Sequence, residues 1–311
     1  MKLLTGERST TRNYTPWLIC LLVLAVAATV MLTPASHAPS SHTLLKVAVF
    51  AFAGIACGFL NTLASSGSAV SLPLMLMMGL NPHVANATNR FPVLIGSATA
   101  VFNFNKGGYV EWKLGAKLIP PMILGAMLGA LVAELIPAKD LGPVIAGAVL
   151  MAFVLLFTKV KNILDTSVPS EPRVDTTVLA AIFGIGFWSG FIVLDAATYM
   201  LLALVLLVHM DLLKANAMKS LLLVAATTIA MAIFVVKGDI DWGAGVIMGA
   251  GSVIGGYAGV RVAVIPSAKE WTVRVLTAVI LLELIHVDTF IRTLDASLAQ
   301  VCAPALSGTA G

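Results

Sequence analysis

Leu221-Leu-Leu-Val-Ala-Ala-Thr-Thr-Ile-Ala-Met-Ala-Ile-Phe-Val-Val236 carries no charged residue, and wound as a helix it is apolar nearly all round. Leu141–Phe157 has the same character. A helix in water keeps a polar face. One surrounded by hydrocarbon needs none, because its backbone groups are satisfied internally. The chain around these runs matches them: 59% of its 311 residues are hydrophobic, 11% are charged, and the mean hydropathy is +0.98. A soluble domain is about half apolar and about a quarter charged. A water-soluble fold of this length would lack the charged residues to coat its surface, so the chain reads as an all-α, polytopic transmembrane helical bundle.

Ten apolar segments follow the amino-terminal region, at 43–61, 66–80, 86–105, 114–136, 141–158, 176–194, 196–209, 217–236, 243–264 and 271–289. Most are long enough to cross about 30 Å of hydrocarbon; 66–80 and 196–209 are short. Lys2, Arg8 and Arg12 precede an earlier apolar run, Trp17–Leu32. That run reads either as a signal peptide cleaved after Ala38 or as an uncleaved helix with its basic end inside, the reading adopted here. The organisation is then 1–42, amino-terminal helix and polar linker; 43–165, first transmembrane repeat; 166–175, inter-repeat linker; 176–290, second repeat; and 291–311, a short tail.

The two halves are related in sequence. A shift of 130 places pairs Ala85-Asn86-Ala87 with Ala215-Asn216-Ala217 and Gly108-x-Val110-Glu111-Trp112 with Gly238-x-Ile240-Asp241-Trp242. It also pairs Gly125 and Gly129 with Gly255 and Gly259, and Gly54 with Gly184. Such duplication is the usual build of secondary transporters. If every segment crosses, each repeat has an odd number of crossings and the second is inverted. Lys106, Lys113, Lys117, Lys159, Lys161, Arg173, Lys214, Lys219, Arg261, Lys269 and Arg274 then share the cytoplasmic side with the amino terminus. Arg90, Lys139, Lys237 and Arg292 fall outside. The positive-inside tendency favours this inverted arrangement. Glycines four apart, Gly54/Gly58, Gly125/Gly129, Gly186/Gly190 and Gly251/Gly255/Gly259, allow close helix approach. They are read as packing within the chain, with a homodimer as the alternative.

Several function classes are disfavoured. The net charge of +4 is scattered among loops, which does not suggest nucleic acid. Cys20, Cys57 and Cys302 form no CxxC pair, and His37, His42, His83, His209 and His286 show no ligand spacing, so no metal or other cofactor is expected. No phosphate loop, nucleophile elbow or H-E-x-x-H helix is present. An intramembrane enzyme is the weaker alternative, beside an uncoupled channel or permease and an accessory subunit.

Polar residues inside apolar segments carry the functional signal. The run Asn61-Thr62-Leu63-Ala64-Ser65-Ser66-Gly67-Ser68, with Ser71 and Pro73 after it, reads as a helix break whose freed N–H groups face an anion. A tight polar turn is the plainer alternative. Asn86, Asn89 and Arg90 form a second cluster, with Asn216 and Lys219 as its counterpart. Arg90 offers a planar donor fork for an oxyanion, although both cations read equally as interfacial anchors that snorkel to headgroups. Asp195, at the position equivalent to Ser65, is costly in lipid unless paired, hydrated or protonated. It reads as a proton-coupling group, or more plainly as a loop-end acid. Glu134 and Glu283 read as anchors.

The run Gly58-Phe-Leu-Asn-Thr-Leu-Ala-Ser-Ser-Gly-Ser-Ala-Val-Ser-Leu-Pro-Leu74, then Gly79-Leu80 and Ala85-Asn-Ala-Thr-Asn-Arg90, resembles the sulfite exporter TauE/SafE family. Gly184-Ile-Gly-Phe-Trp-Ser-Gly190 through Ala215-Asn-Ala-Met-Lys219 to Gly238-x-Ile-Asp-Trp242 is similar to its second repeat. The resemblance covers about residues 43–290. It implies a multi-pass exporter in a bacterial inner membrane whose partners are the bilayer and a small sulfur-containing or organic anion, such as sulfite or a sulfonate. The family often has glycines where this chain has Ser65-Ser66 and Asp195-Ala196-Ala197.

Overall fold

Among the described residues, the apolar segments form helices. The structure is a computed structural model that describes residues 41–63, 67–136, 172–194 and 196–265. Segments 17–32, 141–158 and 271–289 lie outside the described residues. The described elements are α1 (Ser41–Leu63), α2 (Gly67–Met77), α3 (Pro82–Thr88), α4 (Arg90–Lys106), α5 (Trp112–Leu135), α6 (Thr176–Phe191), α7 (Ala196–Leu206), α8 (Leu212–Lys237) and α9 (Trp242–Ala263). Among the described residues, four stretches, Leu44–Leu63, Trp112–Leu135, Leu212–Lys237 and Trp242–Ala263, are long and apolar enough to cross a membrane.

Local chemistry sets the helix ends. Asn81, Asp175, Asp211 and Asp241 each accept a backbone N–H in the first turn of the helix that follows, at 3.0, 2.8, 3.1 and 3.0 Å. Gly108 and Gly238, 130 positions apart, both take positive φ, 73° and 80°, where a side chain would be strained. Each lies in the turn that follows one helix, and Trp112 or Trp242 begins the next.

Asn86 was expected to open the segment that follows the short helix. The helix instead begins at Pro82, and Asn89 itself has helical angles (φ −61°, ψ −20°), so α3 and α4 are nearly one rod. The polar residues misled because Asn86, Thr88, Asn89 and Arg90 all point into the protein, where each is fully buried. For the same reason α8 begins at Leu212 rather than near 217.

Glycine contacts fix how the helices run. Gly54 and Gly58 abut the backbone of Met248 and Ser252, while Gly251 and Gly255 abut that of Ala51 and Ile55. Contacts advance together along both chains, so α1 and α9 run the same way. Gly245, Gly249 and Gly256 meet Phe91, Ile95 and Gly96 in turn, which aligns α4 with them. Gly125 and Gly129 abut Phe183 and Phe187, so α5 and α6 are parallel. Lys214 pairs with Glu111, and Gly115 lies against Met218 and Leu221, so α8 is parallel to α5. The start of α4 lies against the end of α8, where Arg90 stacks on Phe234. Thus α1, α4 and α9 run one way, and α5, α6 and α8 the other.

Because α1 and α4 run alike, the chain must travel back between them. The 11-residue helix α2 does this, spanning about 16 Å. The 11-residue α7 does the same between α6 and α8. Among the described residues, an apolar cluster around Leu118, Met122, Met218 and Leu222 occupies one end of the bundle, and another around Met75, Phe191, Phe234 and Met248 the opposite end. A small cluster, Cys57, Val93 and Val193, joins α1, α4 and the segment after α6.

A Cβ on Gly186 or Gly190 would collide with the carbonyl of Met122 or Ala126, whereas Gly184 faces open space. The packing glycines of α6 are therefore Gly186 and Gly190, and Gly184 matches Gly54 in position only. Gly186→Leu is expected to lower the melting temperature of the purified protein, because overpacking costs about 1–3 kcal/mol. Gly184→Ala is expected to leave it unchanged or raise it slightly, since Ala favours helix. Thermal unfolding in detergent checks both.

Candidate functional site

Among the described helices, α1 ends inside the bundle at Leu63 and α6 at Phe191. A helix end leaves about four carbonyls without intrahelical partners, and the macrodipole places partial negative charge there. Buried away from water, such an end needs donors. Each receives a buried cation from the other half of the chain.

At α6, the Arg90 guanidinium donates to the carbonyls of Ser189 (Nη1, 2.8 Å), Gly190 and Phe191 (both from Nη2, the second at 3.4 Å). Asn86 Nδ2 adds a bond to the Phe191 carbonyl at 3.0 Å, and the Phe234 ring lies 4.6 Å from the guanidinium carbon. Beyond Phe191 the chain turns extended at Ile192, and Trp188 Nε1 donates to the Leu194 carbonyl at 3.0 Å. At α1, Lys219 Nζ donates to the Thr62 carbonyl at 3.3 Å and to Asn216 Oδ1 at 2.7 Å. Arg90 and Lys219 are both fully buried. That burial excludes the snorkelling anchor for either residue.

The start of α2 is organised by amides. Asn61 Oδ1 accepts the Gly67 N–H at 3.0 Å, and Asn61 Nδ2 lies 3.7 Å from Cys57 Sγ. Ser71 Oγ sits 2.6 Å from Asn89 Oδ1 and 3.2 Å from the Gly67 carbonyl. Asn89 and Arg90, adjacent in sequence, therefore serve different breaks: Asn89 steadies α2, and Arg90 holds α6. The breaks also meet in the small apolar cluster, since Gly67 abuts the Cys57 backbone and Cys57 packs with Val193.

Of the residues expected at the site, Asn61, Gly67, Asn89, Asn216 and Lys219 gather at the first break, and Asn86 and Arg90 at the second. Ser68 is buried in the first turn of α2. Ser65, Ser66 and Asp195 lie outside the described residues. Sequence reading missed Thr62 and Ser189 as partners of the cations, because their backbone carbonyls take part and a side chain gives no signal for that. Phe234 looked like one more apolar residue in a long run. Four buried polar atoms on this wall have no hydrogen-bond partner among the described residues: Asn86 Oδ1, Asn89 Nδ2, Arg90 Nε and Ser189 Oγ. Unsatisfied polar groups in a dry interior cost about 1–3 kcal/mol each. All four belong to residues that hold, or are held at, the two helix breaks.

The family described as "Sulfite exporter TauE/SafE" matches residues 49–285. The chain belongs to the sulfite exporter TauE/SafE family. Its relatives include a probable membrane transporter protein, ORF9, of Sinorhizobium sp., 30% identical over 73% of this chain and 86% of that one. The probable membrane transporter protein YfcA of Escherichia coli is 27% identical over 70% of this chain and 80% of its own. A probable membrane transporter protein of Haemophilus influenzae is 26% identical over 69% and 84%. No solved structure matches the chain. This TauE/SafE protein is accordingly a membrane transporter and not an enzyme.

Removing the Arg90 guanidinium strands the carbonyls of Ser189 and Gly190, at about 1–3 kcal/mol each. Arg90→Met is expected to lower the melting temperature sharply and Arg90→Lys by a smaller amount, measured in detergent. Lys219→Met is expected to behave like Arg90→Met.

Proposed function

We propose that this protein is a secondary transporter that exports a small sulfur-containing or organic anion, such as sulfite or a sulfonate, through a site between two inverted halves. The observation that carries the reading is the meeting of two internal helix breaks beside a wall of unpartnered polar atoms. Arg90 and Lys219 hold the breaks and contribute positive charge. Arg90 Nε, Asn89 Nδ2 and Ser189 Oγ supply donors, and α2 and α7 begin at the breaks, where amino-terminal N–H groups attract anions. Ser65, Ser66 and Ser68 add hydroxyls, and Asn61, Asn86 and Asn216 orient the ligand.

The inverted arrangement is supported by helix direction. Each of α1, α4 and α5 runs opposite to its counterpart 130 residues later, α6, α8 and α9. Depth supports a shared central site. Lys219 is seven residues into α8, about 10 Å from its start, and Arg90 is eight residues beyond Pro82, about 12 Å. Measured from opposite faces of a layer about 30 Å thick, both fall near the middle. Rocking of one half against the other would alternate access, with Asp195 carrying a coupling proton. On this reading the protein is multi-pass in a bacterial inner membrane.

Uptake of radiolabelled sulfite and simple sulfonates into proteoliposomes tests the proposal. The parent is expected to accumulate one of these anions when a pH gradient is imposed. Ser189→Ala, which removes a donor without touching either cation, is expected to reduce uptake about tenfold, the effect of roughly one hydrogen bond to a charge. Asp195→Asn is expected to abolish the response to the gradient. Anion movement that ignores the gradient in the parent would identify an uncoupled permease. No movement, beside a working control transporter, would overturn the substrate assignment.

A further inference from the structure

At the end of the bundle where α5 begins, a hollow of about 620 Å³ opens between the first turns of α5 and residues 172–174, lined by Glu111, Trp112, Lys113, Lys117, Pro172 and Val174. The carboxylate that lines it among the described residues is committed: Glu111 Oε1 accepts from Lys214 Nζ at 2.8 Å. Nearby Asp175 is committed too, capping α6 through the Val178 N–H at 2.8 Å. The exposed Lys113 and Lys117 line the hollow and form no ion pair among the described residues. Trp112, half-exposed, stands at its rim with its indole N–H on Asn105 Oδ1 at 2.8 Å. An indole with one wet edge and one apolar face is typical of a membrane interface.

The same face of α5 continues as an apolar stripe. Leu124, Leu128, Leu131 and Leu135 are exposed by 52, 43, 46 and 81%. Counted at about 100° per residue, they and the two lysines all fall within about 60° of one another on the helix. Leu124 and Leu128 lie about 10 and 16 Å along the axis from Lys117, the depth of one leaflet's acyl chains. The positions 130 residues later are Gly243 and Ile247, so the basic pair is not shared by the related half.

We propose that this hollow binds the headgroup of an anionic phospholipid, whose acyl chains lie along the leucine stripe of α5. A free anion would be met by the lysines but would leave the stripe unused. A zwitterionic lipid would cover the stripe but bring its own cation to the lysines. An anionic amphiphile satisfies both, and each basic residue close to such a headgroup strengthens binding by roughly fivefold. The site lies at the edge of the bundle, apart from the two helix breaks, and does not depend on the identity of the transported anion.

Native mass spectrometry of the full chain in neutral detergent, titrated with phosphatidylglycerol or phosphatidylcholine, tests this. The parent is expected to retain phosphatidylglycerol in preference. The double variant Lys113→Gln/Lys117→Gln is expected to lose roughly tenfold or more in apparent affinity for one phosphatidylglycerol, with phosphatidylcholine unaffected. Lys113→Arg/Lys117→Arg keeps the charge and is expected to keep the binding, which separates charge from any effect on folding. Equal retention of phosphatidylglycerol by the parent and the glutamine variant would overturn the proposal. So would displacement of the lipid by millimolar inorganic phosphate, which would mark the hollow as a site for simple anions.

Discussion

A cation buried against the carbonyl end of a helix is the interaction on which the rest of this fold depends. Ending a helix inside a membrane protein is costly, because its last carbonyls find neither the next turn nor water. Burying an arginine or lysine is also costly. Together the two offset each other, since the donors of Arg90 and Lys219 are what the ends of α6 and α1 lack. The exchange crosses between the halves of the chain. Among the described residues, each broken helix end receives its buried cation from the other half.

Helix pairing crosses between the halves in the same way. The first helix of each half packs against the last long described helix of the other, α1 on α9 and α6 on α5, through glycines that let backbone meet backbone. In lipid there is little hydrophobic gain from helix association, so close van der Waals contact must supply it. The glycine seams hold these pairs closely together, while the breaks between α1 and α2 and between α6 and α7 interrupt the rods. A transporter needs both: stiff elements that move as bodies and a discontinuity at which a solute meets backbone N–H groups.

Much of this was legible in the sequence, and the physical reason is clear in each case. Runs such as Leu221–Val236 announce a lipid-exposed or deeply buried helix because no polar face is needed. The Gly108 and Gly238 motifs were visible because a positive-φ turn demands glycine. The Asn61–Ser68 cluster could be read as a break because those residues have no use in an uninterrupted apolar helix. The direction in which Arg90 and Lys219 point was not legible. A fork suited to an oxyanion is equally suited to carbonyls, and Thr62, Ser189, Gly190 and Phe191 accept through backbone atoms that every residue has. The beginning of α3 was also hidden, because buried Asn86 and Asn89 look, in sequence, like the polar residues of a loop.

The central claim is that both breaks converge on a single place through which the solute passes. Cys57, against the start of α2, and Val193, after the end of α6, share one buried cluster. The most direct measurement is oxidative cross-linking of Cys57 to a cysteine at Val193→Cys, with Cys20 and Cys302 changed to serine. The linked peptide would be identified by mass spectrometry and anion uptake measured before and after reduction. The account predicts efficient linkage that stops transport and a recovery of transport on reduction. Failure of the pair to link, or full transport by the linked protein, would contradict it.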